Sequence, residues 1–408
     1  MMNQHHFAQF EPPDLPPVLV IEATAKGWRG LTADGELLNV ESASGHPVEI
    51  PTEKIGVTRE GVPMGYRAVP ARTEPGTIDD YTRCFDSAVR LMKANRLDMA
   101  LTSIEVAISF ASTTTARFNR AIILLSLGRW AEGFAEFENC ELEQMFMRPM
   151  YREAIEHGFK PWNGEDIRGK RLLLLHDHGF GDSIMMLRFV PHLKAVLGAE
   201  VILMLPPELR RLGTQVGTVT ANSMRVLHCD YFCSLLYLFR MLKLTPEKVP
   251  TGQYLSVNPL LEEKWKRRLG QRRKTIGVAW TPGKVHVGDY ARAVPLGALT
   301  KTLDPDADLI SVQVQGTAEA DFLGVEHYPF EDFADCAALM SVLDEIVTID
   351  TAAVHLAGAI GHPKITLLLP YWSSWRWLSP LYDNIRIVRQ SHDDADWSRT
   401  CALLSKQI

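Results

Sequence analysis

Between His176 and Asp182 the chain reads HDHGFGD, which puts two carboxylates, two imidazoles and two glycines into seven residues. Carboxylates and imidazoles are the side chains that take up protons in general acid–base chemistry, and an imidazole titrates nearer neutrality. Gly179 and Gly181 let a backbone turn tightly and approach a ligand closely. With Asp177 they form a loop suited to an incoming substrate. Asp182 is the leading candidate to accept a proton and His178 the alternative. Asp182 also has a structural alternative, a carboxylate that caps helix N–H groups and does nothing else.

A second cluster, IDTAAVHLAGAIG (349–361), places Asp350 at a strand end, Thr351 at a helix start and His355 one turn further on. The Thr351 hydroxyl, the first helical N–H groups and the His355 imidazole could converge on a diphosphate. Gly358 and its alanine neighbours allow close approach; the bland alternative for His355 is a packing residue. A third cluster, AWTPGKVHVGDYARAV (279–294), is expected on the donor side; it opens with Trp280 and carries Lys284 and Arg292. These two are counter-charges for phosphate or, equally, residues of a solvated loop. A fourth, PYWSSWRWL (370–378), joins three tryptophans to Arg376 and either stacks a base or sugar or caps a core.

These clusters need strands and helices to hold them. RLLLL (171–175) is apolar enough to be buried on both faces, as in a parallel sheet, and a helix follows with apolar positions at Ile184, Met185, Leu187 and Val190. VILMLPP (201–207) and MRVLHC (224–229) continue this series. A basic stretch, EEKWKRRLGQRRK (262–274), reads as a solvated helix and linker. A second series runs through TIGVAW (275–280), DLISVQV (308–314), EIVTID (345–350) and KITLLLP (364–370), with helical stretches at 335–343 and 351–360. Strands alternating with helices twice over predict two doubly wound α/β domains, whose ligands bind at the carboxyl ends of strands.

Upstream, Ala88–Leu101 and Ala121–Phe134 align at an offset of 33 residues, with small and large residues recurring in step, as in paired helical repeats. Residues 1–76 carry short apolar stretches between the turn signals Lys26-Gly27, Asp34-Gly35 and Ser44-Gly45, which fits β-hairpins. The expected organisation is therefore a small β-rich region (1–76), a helical segment (77–150) and two Rossmann-like domains (151–260 and 261–408).

With 408 residues the chain can build several cores. A net charge of −6 gives no basic footprint for nucleic acid. No apolar run reaches the roughly 18 residues of a membrane span, and the N-terminus lacks a secretory pattern. Cys229 and Cys233 lack a second pair to complete a zinc site. The six scattered cysteines are expected to be reduced thiols in a cytoplasmic protein, with no metal site.

The order PWNGEDIRGKRLLLLHDHGFGD…RFVPHL, TIGVAW, SVQVQG, DFADCAALMSVLDEIVTIDTAAVHLAGAIGHP and PYWSSWRW resembles the bacterial tetratricopeptide-repeat proteins with a glycosyltransferase family 9-like (heptosyltransferase-like) domain, over roughly residues 80–390. The resemblance implies a GT-B fold, with an acceptor-side N-terminal domain and a donor-side C-terminal domain. It also implies metal-independent transfer from a nucleotide-diphosphate sugar, with no further cofactor. Carried over, Asp182 matches the motif aspartate proposed as general base, and Thr351, His355 and Gly358 match the DTxxxHLAGA element near the donor diphosphate. Lys284 or Arg292 falls where basic residues neutralise the leaving phosphate, and Gln313 falls at the SLQ-type strand end. The chain departs from relatives by reading Asp177-His178 for their Glu-Gln and Val314-Gln315 for the SLQKG-like element, and CSLLYL (233–238) lacks the expected prolines.

The acceptor could be a glycan or a protein, and the helical repeats could dock a protein partner. A catalytically silent scaffold that binds a partner, with or without a nucleotide sugar, is the competing reading. A nucleotide-sugar enzyme such as an epimerase is disfavoured, because no GxGxxG fingerprint follows any predicted strand.

Overall fold

The computed structural model describes residues 6–8, 10–11, 18–24, 27–31, 37–41, 67–68, 78–143, 149–220, 224, 227–283, 292–315, 317–392, 394 and 396–405. The chain forms two compact units, Met1–Glu143 and Gln144–Ile408.

In the first unit, β1 (His6–Ala8), β3 (Val18–Thr24), β4 (Gly27–Leu31) and β5 (Leu37–Glu41) form an antiparallel sheet in the order β1-β3-β4-β5, and β2 (Phe10–Glu11) pairs with β6 (Arg67–Ala68). The turn residues Lys26, Asp34, Gly35, Ser44 and Gly45 lie outside the described residues.

Four helices follow: α1 (Ile78–Lys93), α2 (Leu97–Phe110), α3 (Thr114–Ser126) and α4 (Trp130–Glu143). The 33-residue offset is visible in their turns. Asn95 and Gly128 both adopt positive φ, 56° and 77°. Arg96 N bonds Leu91 O at 2.8 Å, and Arg129 N bonds Leu124 O at 2.9 Å, so equivalent residues close both helix ends in the same way. The small residues match as well: Ala100 is fully buried, and a Cβ on Gly133 would lie 2.7 Å from Leu125 Cγ. The two helical hairpins therefore share one turn geometry, with a tighter approach at Gly133 than at Ala100.

The second unit opens with α5 (Pro149–Glu156) and contains two parallel sheets. The first uses β7 (Lys160–Pro161), β8 (Arg171–Leu175), β9 (Glu200–Met204), β10 (Thr218–Thr220) and β11 (Tyr231–Ser234) in the order β10-β9-β8-β11-β7. Helices α6 (Phe180–Met186), α7 (Val190–Ala195), α8 (Pro207–Gly213) and α9 (Leu238–Met241) connect them. The strand expected at 224–229 does not form among the described residues; β11 lies later, at Tyr231–Ser234. Asp230 sets that start, since its N donates to Arg171 O and its carboxylate accepts from Arg171 N, which pins the register to β8.

Helix α10 (Pro259–Leu269), capped by Asn258, leads into the second sheet. It is built from β12 (Thr275–Ala279), β13 (Asp308–Ser311), β14 (Glu326–His327), β15 (Glu345–Ile349), β16 (Ile365–Leu369) and β17 (Ile385–Arg389), ordered β14-β13-β12-β15-β16-β17. Helices α11 (Leu296–Thr300), α12 (Thr317–Phe322), α13 (Phe333–Ser341), α14 (Ala352–Ala359) and α15 (Ser398–Ser405) complete it. Numbered within its own domain, this sheet runs 3-2-1-4-5-6, and the first runs 3-2-1-4 with β7 on the outer edge. Each sheet reverses direction beside its first strand, so crevices open at the carboxyl ends of β8/β11 and of β12/β15. Residues Leu172–Leu175 and Ile365–Leu369 are buried, as expected for strands covered on both faces. All six cysteines are free thiols. Among the described residues no helix is long and apolar enough to cross a membrane.

Candidate functional site

At the first crevice, β8 ends in His176-Asp177-His178 and Gly179 serves as N-cap of α6. Asp182 is the third residue of that helix and not its cap. Ser234, paired with Leu175 at the end of β11, sits beside this loop, and its hydroxyl donates to Asp177 Oδ1 at 2.6 Å. The same oxygen lies 2.7 Å from His178 Nδ1, so Asp177 joins Ser234 and His178 in one hydrogen-bonded group. His176 turns the other way: its Nδ1 is 2.7 Å from Ser183 Oγ, and its ring stacks on Phe180.

At the second crevice, Thr351 caps α14 by accepting from Ala353 N through its hydroxyl. Arg292 donates from Nη1 to Asp350 O at 2.8 Å, across the gap between the ends of β12 and β15. Gln313 faces inward: its side-chain oxygen accepts from Trp280 N at 2.8 Å and Thr281 N at 3.1 Å, while its amide nitrogen donates to Gln315 O. It thereby braces the start of the 280–294 loop. The Trp280 side chain is 1% exposed in the core with Ile276, Val278 and Val347, and its indole nitrogen donates to Glu319. Lys284 lies outside the described residues.

His355 is buried within α14. Its Nδ1 is 2.9 Å from the Tyr382 hydroxyl, its Nε2 is 3.9 Å from Asp350 Oδ1, and its ring stacks on Trp377. Burial pushes its pKa down to about 4, against the opposing pull of Asp350 and Asp182, so the imidazole is neutral at pH 7. Gly358 explains how Tyr382 reaches it, because any Cβ there would overlap the tyrosine ring.

The two crevices meet. A Cβ on Gly181 would stand 2.9 Å from His355 Cδ2 and 3.3 Å from Ala352 Cα, so α6 and α14 are in direct contact and Gly181 permits it. Beside this contact Arg376, from the turn after β16, donates from Nε to Asp182 Oδ1 at 2.7 Å, and its Nη2 makes an ion-pair contact with the same oxygen at 2.6 Å. Burial disfavours the Asp182 charge, yet Arg376, with His178 and His355, outweighs it and holds the carboxyl below its usual range. Two further ties join the domains. Arg211 on α8 forks onto Asp332, the N-cap of α13 (2.5 and 2.7 Å). Arg188 donates to Pro250 O and Leu381 O between the Tyr254 and Tyr382 rings.

Asp182, Arg376, His355 and Gly181 thus come together, and Asp177, His178 and Ser234 form a neighbouring group on the same loop. Thr351, Asp350 and Arg292 line the second crevice. Sequence reasoning passed over Ser234, Tyr382 and Arg188, and noted Arg376 only as a stacking candidate. The Trp-Arg-Trp run was the one available signal.

The architecture is a pair of Rossmann-like α/β domains, carried by the two parallel sheets and their strand orders. No family model matches the chain. Protein FlbA of Caulobacter vibrioides (strain ATCC 19089 / CIP 103742 / CB 15) is 26% identical over 353 residues, covering 75% of this chain and 58% of that protein. The chain therefore spans under two thirds of the length of the curated relative it matches. Among solved structures it is similar to a glycosyl transferase family 9 protein from Veillonella parvula DSM 2008, at 11% identity, 56% of this chain, 88% of that one and a TM-score of 0.42. It is also similar to the ADP-heptose LPS heptosyltransferase II of E. coli, at 16% identity, 58% of this chain, 99% of that one and a TM-score of 0.41.

Proposed function

We propose that the chain is a glycosyltransferase that uses a nucleotide-diphosphate sugar. The observation that carries this reading is the meeting, at the carboxyl ends of two parallel sheets, of a loop bearing proton acceptors with a helix start flanked by arginines. The donor diphosphate rests at Thr351 and the start of α14, with Arg292 or Lys284 neutralising the leaving phosphate. The acceptor hydroxyl lies against residues 177–182. Its proton passes to Asp182 as the acceptor oxygen bonds the anomeric carbon. The bond from that carbon to the phosphate oxygen breaks, and its electron pair leaves with the nucleoside diphosphate. Cationic side chains in place of a metal ion stabilise that charge. His178, oriented by Asp177, is the second group able to take the proton. Helices α1–α4 are read as a tetratricopeptide-like segment for a protein partner.

The test is nucleotide release with a panel of nucleotide sugars and candidate acceptors. Asp182→Asn lowers turnover by about 10²–10⁴-fold, the usual worth of a general base; an unchanged rate removes Asp182 from the mechanism. The direct packing of α6 on α14 favours a second reading, a silent scaffold. Nucleotide-sugar binding without turnover under any acceptor would select it.

A further inference from the structure

We propose that the Asp182–Arg376 ion pair is a placeholder: Arg376 is the side chain that takes a phosphate of the donor, and Asp182 occupies it until the donor arrives. The inference rests on the nucleotide-sugar reading above and adds a residue and an order of events to it.

The argument begins with how Arg376 is held. It sits in the short helical turn Trp375–Leu378 that follows β16, the neighbour of β15, so it emerges at the same sheet end as Asp350 and Thr351. Its own domain sets its position: the guanidinium lies over the Trp375 ring at 4.4 Å, and Nη1 donates to Ser374 Oγ at 3.0 Å. The adjacent Trp377 stacks on His355 of α14, which fixes the turn against that helix. Of the remaining nitrogens, Nε donates to one oxygen of a carboxylate from the other domain, and Nη2 lies 2.6 Å from that same oxygen. A guanidinium edge converging on a single anionic oxygen can serve a phosphate oxygen equally well. Both side chains are about one-fifth exposed, so solvent can reach the pair.

Exchange involves no covalent change. The Nε–H···O bond and the Nη2 contact to Asp182 break, and the same edge of the guanidinium pairs with an oxygen of the diphosphate, which carries two negative charges in all. The consequence falls on Asp182. Arg376 is the strongest of the influences that hold its carboxyl ionised against burial, so losing that partner makes it a better proton acceptor. Donor binding therefore delivers a cation to the leaving group and frees the base in one step, and the donor binds before the acceptor can react.

The experiment is calorimetric titration of the full chain with UDP, GDP, ADP and dTDP, using wild type, Arg376→Ala, Arg376→Lys and Asp182→Asn. For the nucleotide that binds wild type, Arg376→Ala weakens binding by at least about tenfold, the loss expected for charge-assisted hydrogen bonds. Arg376→Lys keeps the charge but loses the fork, and falls between. Asp182→Asn binds several-fold more tightly than wild type, because the internal competitor has lost its charge; a merely structural ion pair would give weaker binding in both partners' variants. Wild-type affinity in Arg376→Ala, or no gain in Asp182→Asn, overturns the placeholder while leaving the nucleotide reading standing. Absence of binding by all four proteins overturns both.

Discussion

The turn after β8 and the turn after β15 are written in the same grammar, a buried strand, a short polar loop and a helix, yet they satisfy their polar groups differently. The β15 turn is self-contained. Thr351 caps its own helix, and His355 finds Tyr382, Asp350 and Trp377 within the same domain. In the β8 turn, Gly179 at the N-cap position offers no side chain, and the Asp182 charge is met by Arg376 from the other domain. A self-contained turn is a fixed platform. A turn that borrows its partner across a crevice changes its electrostatics when the crevice changes, and that suits it for the reacting side of a transfer.

The comparison can be broken most severely at His355. Its pKa in the folded protein, about 4, lies below its ordinary value of 6.5. Between those values the unfolded chain binds a proton that the native chain does not. The contribution is complete above pH 6.5 and is lost as pH falls toward 4, on the order of 3 kcal/mol. Denaturant titrations at pH 7.5 and 5 should show this acid loss in wild type and a flatter dependence in His355→Asn. Equal slopes would mean that His355 is not held neutral by the platform.

A smaller effect is expected at Gly358→Ala, whose methyl overlaps Tyr382. Overpacking of this kind costs about 1–3 kcal/mol, and chemical denaturation should register it as a lowered midpoint. Gly181→Ala sharpens the contrast further. Its Cβ presses on His355 Cδ2 and on the Ala352 backbone, so α6 is displaced from α14 at a cost of about 1 kcal/mol. The informative readout is faster hydrogen exchange confined to residues 176–186 and 352–359. Unchanged protection there would mean that the helix contact is looser than the geometry implies.

The two turns were legible in the sequence because both are local. Runs such as RLLLL and EIVTI declare strands buried on both faces, and a Thr or Gly before an apolar helix marks its start. The repeat at 33 residues was legible for the same reason, since Asn95 and Gly128 occupy equivalent tight turns. What was not legible is long-range pairing. Asp182 and Arg376 stand 194 residues apart, and no spacing rule links them. Ser234 was invisible because MRVLHC looked like the strand, whereas the Asp230–Arg171 bonds shift pairing to Tyr231–Ser234. Gln313 was expected on the donor side through the resemblance, and Trp280 through its place at the end of TIGVAW. Gln313 braces the loop backbone and the Trp280 side chain fills the core, a difference of side-chain direction that depends on packing.

The most direct test of the central claim is thermal stability of the full chain against UDP-, GDP-, ADP-, dTDP- and CMP-linked sugars beside the bare nucleotides. A ligand at about one hundred times its dissociation constant stabilises by roughly 2.7 kcal/mol, which is easily read. The account predicts a selective upward shift with one nucleotide class. No shift with any of them would contradict it and leave the closed pair of domains as a scaffold.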